Sequence, residues 1–181
     1  CSRDLIHWRA ADGRALVLPL TIETPGLIVD PVPPKGGMIN GNTKIGFDLD
    51  GRPIISYHKF DPNGYTQLYN ARLENKRWKI YRTTDWRYRW YFQGGGTINF
   101  EIGFGPVTAE SGTLRQRFKP SKYGSGVWTL EPATLKPIGK PVSPGGLPAE
   151  LGKLESPFPG MQVRIAHDAG SSGSAGVEYI L

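Results

Sequence analysis

Residues 44–83 carry four short β-prone runs separated by three turn signals, and this spacing constrains the fold more than anything else in the chain. The runs are 44–49, Pro53–Phe60, 66–73 and 77–83. The turns between them are Asp48-Leu49-Asp50-Gly51, Asp61-Pro62-Asn63-Gly64 and Glu74-Asn75-Lys76. Asp, Asn, Pro and Gly each favour a tight reversal for a separate physical reason, so the runs are predicted to fold back on one another as antiparallel strands. No stretch has amphipathic helical spacing over three turns.

The pattern recurs in weaker form. Strands are expected at 97–104, 113–118, Gly126–Leu130 and 135–138, and again at 161–167 and 177–181. Four antiparallel strands per unit, repeating every ~40–60 residues, indicate an all-β β-propeller. The expected layout is a blade remnant at 1–22, blades at 44–85 and 97–140, and a partial blade at 161–181. Ser2, Asp4 and Trp8 loosely match the Asp-box turn, in which a carboxylate holds backbone N–H groups. Two full and two partial blades are too few for a closed ring. The chain also starts at Cys1 and stops within a strand-like run, so it reads as a fragment of a longer protein. A Cys-Ser start is also compatible with a lipidated lipoprotein, a reading disfavoured because the turn motif begins at once at Ser2.

Composition narrows the function classes. Gly (24) and Pro (16) together exceed a fifth of the 181 residues, which fits many turns, while 20 aromatic residues argue against disorder. No apolar run is long enough for a membrane span. The single cysteine excludes an internal disulfide and a cysteine-rich zinc site, and there is no P-loop or HExxH pair. No metal or other cofactor is expected, and the spacing of the histidines supports neither zinc nor calcium.

The net charge of +6 is concentrated. Between positions 72 and 89 stand Arg72, Lys76, Arg77, Lys79, Arg82, Arg87 and Arg89 against Glu74 and Asp85. Trp78, Tyr81, Trp86 and Tyr88 are interleaved with them. Such a segment suits an anionic polymer with flat faces, either an acidic polysaccharide or a single-stranded nucleic acid. It equally suits a solvated strand face beside core aromatics. Two residues beyond Trp90-Tyr91 comes Gln93-Gly94-Gly95-Gly96, where a ligand or another backbone could come close. The Pro/Gly-rich stretch 23–43 is long for a connector, and long loops are often functional.

Few side chains suit chemistry. His58 lies inside a strand and is a proton-transfer candidate, or a satisfied core residue. His167 precedes Asp168, which would orient its ring or cap a hairpin. Arg72 offers a fork for a carboxylate, or a surface ion pair. Asp48, Asp50 and Asp61 lie in turns, where Asp is expected anyway.

The series YHKFD, TQLYNAR and TDW followed by GGG (Tyr57 to Gly96) resembles the BNR-repeat proteins that include bacterial ulvan lyases and rhamnosyl-glucuronate lyases. FEIGFGPV and RIAHDAG further along also resemble that family. The resemblance implies a seven-bladed propeller, of which this chain holds the later blades. It implies secreted or periplasmic breakdown of an acidic polysaccharide next to a uronic acid, by β-elimination. In that reaction a cation neutralises the uronate carboxylate, a base removes the C5 proton and an acid protonates the leaving O4. Carried over, His58 or Tyr57 would transfer the proton and Arg72 would neutralise the carboxylate. Tyr69, Trp86, Arg87, Arg89 and His167 would bind substrate. Some members of that family hold zinc, to which His167 could contribute. The alternative is a glycan-binding propeller without catalysis, or an inactive fragment. Nucleic acid is not the expected partner, because the motif series matches a carbohydrate family; the remaining blades of the parent propeller are.

Overall fold

The computed structural model describes residues 1–92, 97–120, 122–142, 159, 165–167 and 178–180. The chain divides into two compact units, Cys1–Val142 and Ser143–Leu181. It is all-β, built of antiparallel sheets, with one 3-10 turn among the described residues, at Asn40–Asn42.

The first unit opens with a small hairpin, β1 (Trp8–Arg9) and β2 (Ala15–Leu16). The turn before it is held as the Ser2/Asp4/Trp8 pattern requires. Asp4 Oδ1 accepts the backbone N–H groups of Ile6 (2.9 Å) and His7 (2.8 Å). Trp8 Nε1 donates to the Leu5 carbonyl at 3.1 Å. The His7 ring and these amides hold the Asp4 carboxyl well below the usual range.

Sheet 1 is a meander of β3 (Lys44–Phe47), β4 (Pro53–Phe60), β5 (Thr66–Glu74) and β6 (Arg77–Arg82). Carboxylates organise two of its turns. Asp48 Oδ1 accepts the N–H groups of Asp50 and Arg52, and Asp61 Oδ1 those of Asn63 and Tyr65. Between β5 and β6, Asn75 (φ 47°) and Lys76 (φ 64°) take the left-handed backbone that a two-residue hairpin loop requires.

Sheet 2 repeats the meander with β7 (Ile102–Glu110), β8 (Thr113–Pro120), β9 (Gly126–Leu130) and β10 (Pro137–Val142). Its first strand differs from the expected 97–104, because it starts five residues later and runs past Pro106. The β7–β8 register shifts between Phe104 and Val107, so the proline sits in an irregularity where no ladder N–H is needed. The last strand also starts later than expected. Leu135 is turned (φ 53°) and fully buried, anchoring the β9–β10 turn rather than beginning the strand.

The two sheets pack face to face, with β3 and β7 making the main strand-to-strand contact. Gly46 is what permits it, since a Cβ there would lie 2.0 Å from the Val107 carbonyl oxygen. Ile54 and Leu68 of sheet 1 join Phe104, Val107, Leu114 and Phe118 of sheet 2 in one core. Within that core Ser56 Oγ donates to Asn70 Oδ1 (2.6 Å), and Asn70 Nδ2 donates to Gln116 Oε1 (2.9 Å) and Thr83 Oγ1 (2.8 Å). Gln116 Nε2 donates to Ser56 Oγ and the Gly105 carbonyl, both at 3.1 Å.

In the second unit, β11 (Ile165–His167) pairs antiparallel with β12 (Glu178–Ile180). The expected strand starts at 161 and 177, the turn 168–174 and most of 141–159 lie outside the described residues, as does Gln93–Gly96.

Candidate functional site

β4 ends, β5 begins and β6 ends at the same end of sheet 1, so the segments 61–65 and 83–92 emerge together. The Pro/Gly-rich segment preceding β3 joins them there. Phe60 N–H donates to the Gly36 carbonyl at 2.8 Å, which pins that segment beside the end of β4. Gly37 (φ +80°) lies so close that a Cβ would meet the Phe60 ring at 2.6 Å.

The segment 83–90 is laid along the start of β5. Gln67 does most of this, accepting from Trp86 N–H (2.9 Å) through Oε1 and donating to the Trp86 carbonyl (2.8 Å) through Nε2. Thr66 N–H donates to the Tyr88 carbonyl at 2.7 Å, and Trp90 N–H to Thr66 Oγ1 at 2.8 Å. The segment is therefore extended, and its side chains alternate. Trp86 and Trp90 turn inward and are buried, whereas Arg87 and Arg89 point to solvent.

Between these segments lies a cleft of about 910 Å³. Its lining includes Lys35, Met38, Phe60, Arg89, Tyr91 and Phe92. Arg89 is held in place: its guanidinium lies 4.0 Å from the Phe60 ring centroid and donates to the Gly64 carbonyl at 3.1 Å. A Cβ on Gly64 would stand 2.7 Å from Arg89 Nη1, so this pose depends on glycine there. The cleft thus combines two cations with exposed aromatic surface, Tyr91 being 67% exposed. A shallower depression of about 650 Å³ at the β5–β6 hairpin is lined by Glu74, Asn75, Arg77, Trp78 and Lys79, which belong to the charged 72–89 run but include none of the residues given a catalytic or substrate-binding role.

Among those candidates, Arg89 lines the cleft and Arg87 is exposed on the same segment. Trp86 is a core residue, stacked on Tyr123 at 5.5 Å and against Trp128 at 6.3 Å. His58 is fully buried, ringed by Trp90 (5.1 Å), Phe92 (6.5 Å) and Phe104 (6.2 Å). Neither of its ring nitrogens has a hydrogen-bond partner among the described residues. Burial pushes its pKa down to about 4; the nearby Gly37 backbone pulls the other way without a hydrogen bond of ordinary geometry.

Tyr57 and Tyr69 stand on the opposite face of sheet 1, stacked at 5.9 Å. Tyr57 donates to Asp30 Oδ2 at 2.5 Å, and Lys59 pairs with the same oxygen. Burial and the Asp30 carboxylate push the Tyr57 phenol well above its usual range; burial also raises that of Tyr69.

Arg72 shares the His58 face but pairs with Ile54, four residues back along β4, or roughly 13 Å at strand rise. Its guanidinium donates to Glu74 Oε1 (2.8 Å), the Pro132 carbonyl and Tyr81 Oη (3.3 Å), and lies 3.5 Å from Asp48. Burial disfavours its charge, but the bonds to Glu74 and Tyr81 outweigh that and keep it protonated. The fold therefore distributes His58, Tyr57 and Arg72 over three environments rather than one constellation. His167 lies on β11, opposite Glu178, in the second unit.

The concentrated charge of 72–89 is likewise divided. Arg72 is buried, Lys79 pairs with Glu74, and Arg82 pairs with Asp61 and Asp85. What the motif reading missed is the far wall of the cleft at Lys35 and Met38, and the fact that Phe60, inside YHKFD, lines it. The signal that pointed there was the length of the Pro/Gly-rich loop. Among the described residues no group of three His, Cys, Asp or Glu is placed to hold a metal ion, and no helix is long and apolar enough to cross a membrane.

A family model described as a BNR repeat-containing family member matches residues 1–86, which include the Asp4 turn, sheet 1 and the start of the 83–92 segment. No curated protein matches the chain.

Proposed function

We propose that this chain is part of a β-propeller that binds an acidic polysaccharide at the cleft between 32–40 and 83–92. The observation that carries this reading is the cleft itself. A cavity of about 910 Å³ presents Arg89 and Lys35 beside the faces of Phe60, Tyr91 and Phe92. Cations suit the carboxylates of a uronate chain, and aromatic faces suit sugar rings. The propeller reading is supported by the two successive meanders converging at their first strands, β3 and β7, with no comparable contact between β6 and β10. The match to a BNR repeat model over 1–86 is in keeping with both. A secreted or periplasmic location, where such polymers are met, follows from the same reading.

Isothermal titration with oligouronates and with neutral oligosaccharides of equal length tests it. Binding of the uronates, weakened at least tenfold in Arg89→Ala, is the expected result. Equal binding of both series, or none, would remove the acidic-polysaccharide assignment.

A second reading is β-elimination next to a uronate. The observation favouring it is that His58, neither ring nitrogen of which has a hydrogen-bond partner among the described residues, packs behind Phe92 and Gly37 of the cleft wall. Turnover would require those residues to move aside. Ultraviolet absorbance of an unsaturated uronate product, lost in His58→Ala, is the signature; a wild-type chain that binds without producing it is a binding module.

A further inference from the structure

The turn between β8 and β9 meets the 83–92 segment, which also forms one wall of the cleft. Four rings run there from the core to the surface. Phe118 stacks on Trp128 (3.7 Å, planes 7° apart), Trp128 lies 6.3 Å from Trp86, and Trp86 stacks on Tyr123 (5.5 Å, 7°). The first three are buried, whereas Tyr123, at the solvent end of the row, is 40% exposed. Tyr88 meets Tyr123 edge to face at 6.3 Å. The neighbouring Lys122 is exposed, with its ammonium 5.4 Å from the Tyr88 ring centroid, and it has no ion pair among the described residues. Gly124 (φ +77°) supplies the left-handed residue that turns the chain back into β9. Each ring is fixed by the one beneath it, so Tyr123 is presented in one orientation beside a cation, and a ligand need not order it. In a propeller, neighbouring blades pack on the faces of a sheet and leave the turns at its strand ends open, so this platform stays accessible.

We propose that Tyr123 and Lys122 form an outer subsite that stacks one ring of an acidic oligosaccharide and pairs with its carboxylate. The subsite rests on the reading of the cleft as a uronate site and extends it. Trp86, which carries Tyr123, stands three residues from Arg89 along the extended segment, roughly 10 Å at strand rise. A single sugar bound at Arg89 therefore leaves Tyr123 empty, and only a longer chain uses both. A single-stranded nucleic acid is the less suited ligand, because its proteins stack successive bases on successive rings. Here Tyr123 alone is exposed, with Trp86 buried and Tyr88 half-buried beneath it.

The test is isothermal titration of the full 181-residue chain with digalacturonate and with hexagalacturonate. The wild type is expected to bind the hexamer at least fivefold more tightly than the dimer. Tyr123→Ala and Lys122→Gln, both at exposed positions, should each lose most of that gain and leave dimer affinity unchanged. Tyr123→Phe, which keeps the stacked ring, should retain it. Arg89→Gln should weaken both ligands. A length gain absent from the wild type, or intact in both Tyr123→Ala and Lys122→Gln, would overturn the subsite; if Arg89→Gln still weakens both ligands, the cleft reading survives that result. If Arg89→Gln changes nothing while Tyr123→Ala loses the hexamer, the cleft reading fails and the outer subsite stands. A single-stranded oligonucleotide that binds more tightly than hexagalacturonate at equal charge, and is lost in Tyr123→Ala, would overturn the sugar assignment.

Discussion

Ser56 and His58 stand two residues apart on one face of β4, and the interior accommodates them in opposite ways. Ser56 belongs to a closed network in which Asn70, Gln116 and Thr83 satisfy one another across the two sheets. His58 is ringed by aromatic side chains, and neither of its nitrogens has a hydrogen-bond partner of ordinary geometry among the described residues. Buried polar groups are normally paired, because an unpaired one forfeits its hydration. The network half of the interface thus secures the packing of two sheets. The histidine half keeps an unsatisfied group next to the wall of a cleft.

The comparison breaks hardest at Arg72, which ties the network half to the β9–β10 turn through the Pro132 carbonyl while meeting Glu74 and Asp48. Arg72→Met leaves those carboxylates facing an apolar side chain. A loss of ~3–5 kcal/mol in urea unfolding is expected. A loss below ~1 kcal/mol would show that the guanidinium is not the tie the geometry indicates.

Acid sharpens the histidine half. Above pH 6.5, the ordinary histidine value, His58 is neutral in both folded and unfolded chains and contributes nothing to pH dependence. Below it the unfolded chain takes up a proton that the folded chain refuses until about pH 4. Stability therefore falls as the pH drops through this window, by on the order of 3 kcal/mol in all. His58→Leu should remove that part of the fall while changing neutral-pH stability little. Parallel stability–pH curves for the two proteins would mean that His58 is protonated or partnered in the folded chain.

Asn70→Leu strips partners from Ser56, Thr83 and Gln116 at once and should cost ~1–3 kcal/mol. Adding Gln116→Leu should cost less than the sum of the two single changes, since each removes a group the other left unsatisfied. Strict additivity in that double-mutant cycle would show that the two amides do not act together.

These features differ in how far they could be read from the residues alone. Asp61-Pro62-Asn63-Gly64 and the alternation of Pro53–Phe60 are local signals, and strand and turn stand where they indicate. The Asp4 turn is legible for the same reason. The limits of β7 were not legible, because whether a strand survives Pro106 depends on the irregular pairing its partner β8 offers. Gly46 reads as an ordinary glycine until Val107 is brought against it. The cations of 72–89 look like one patch only while the chain is laid out straight. Folding sends Lys76 and Arg77 to the tight-turn end of sheet 1 and Arg87 and Arg89 to the loop end. Alternation along each strand gives His58 a face in common with Ser56 and Arg72 one in common with Asn70, but not the pairing that puts the two sets on one side of the sheet nor what covers them.

The smallest expected effect lies on the other face of β4, where Tyr57 is also buried but has a partner. Its phenol donates to Asp30 Oδ2, and Lys59 holds the same oxygen. Tyr57→Phe keeps the ring stacked on Tyr69 and removes only the hydroxyl. Asp30 then retains its charge partner, so no buried group is stranded, and the expected loss is ~0.5–1.5 kcal/mol. The midpoint of urea unfolding should fall with the slope unchanged, and an oligouronate should bind the cleft as before. A loss above ~3 kcal/mol would mean that Lys59 does not hold Asp30 once the phenol is gone. Segment 24–37 would then depend on that one hydroxyl, and cleft affinity would fall with it, because the segment forms one wall of the cleft. The two outcomes separate a polar group that shares its partner, at Tyr57, from one, at His58, that has none among the described residues.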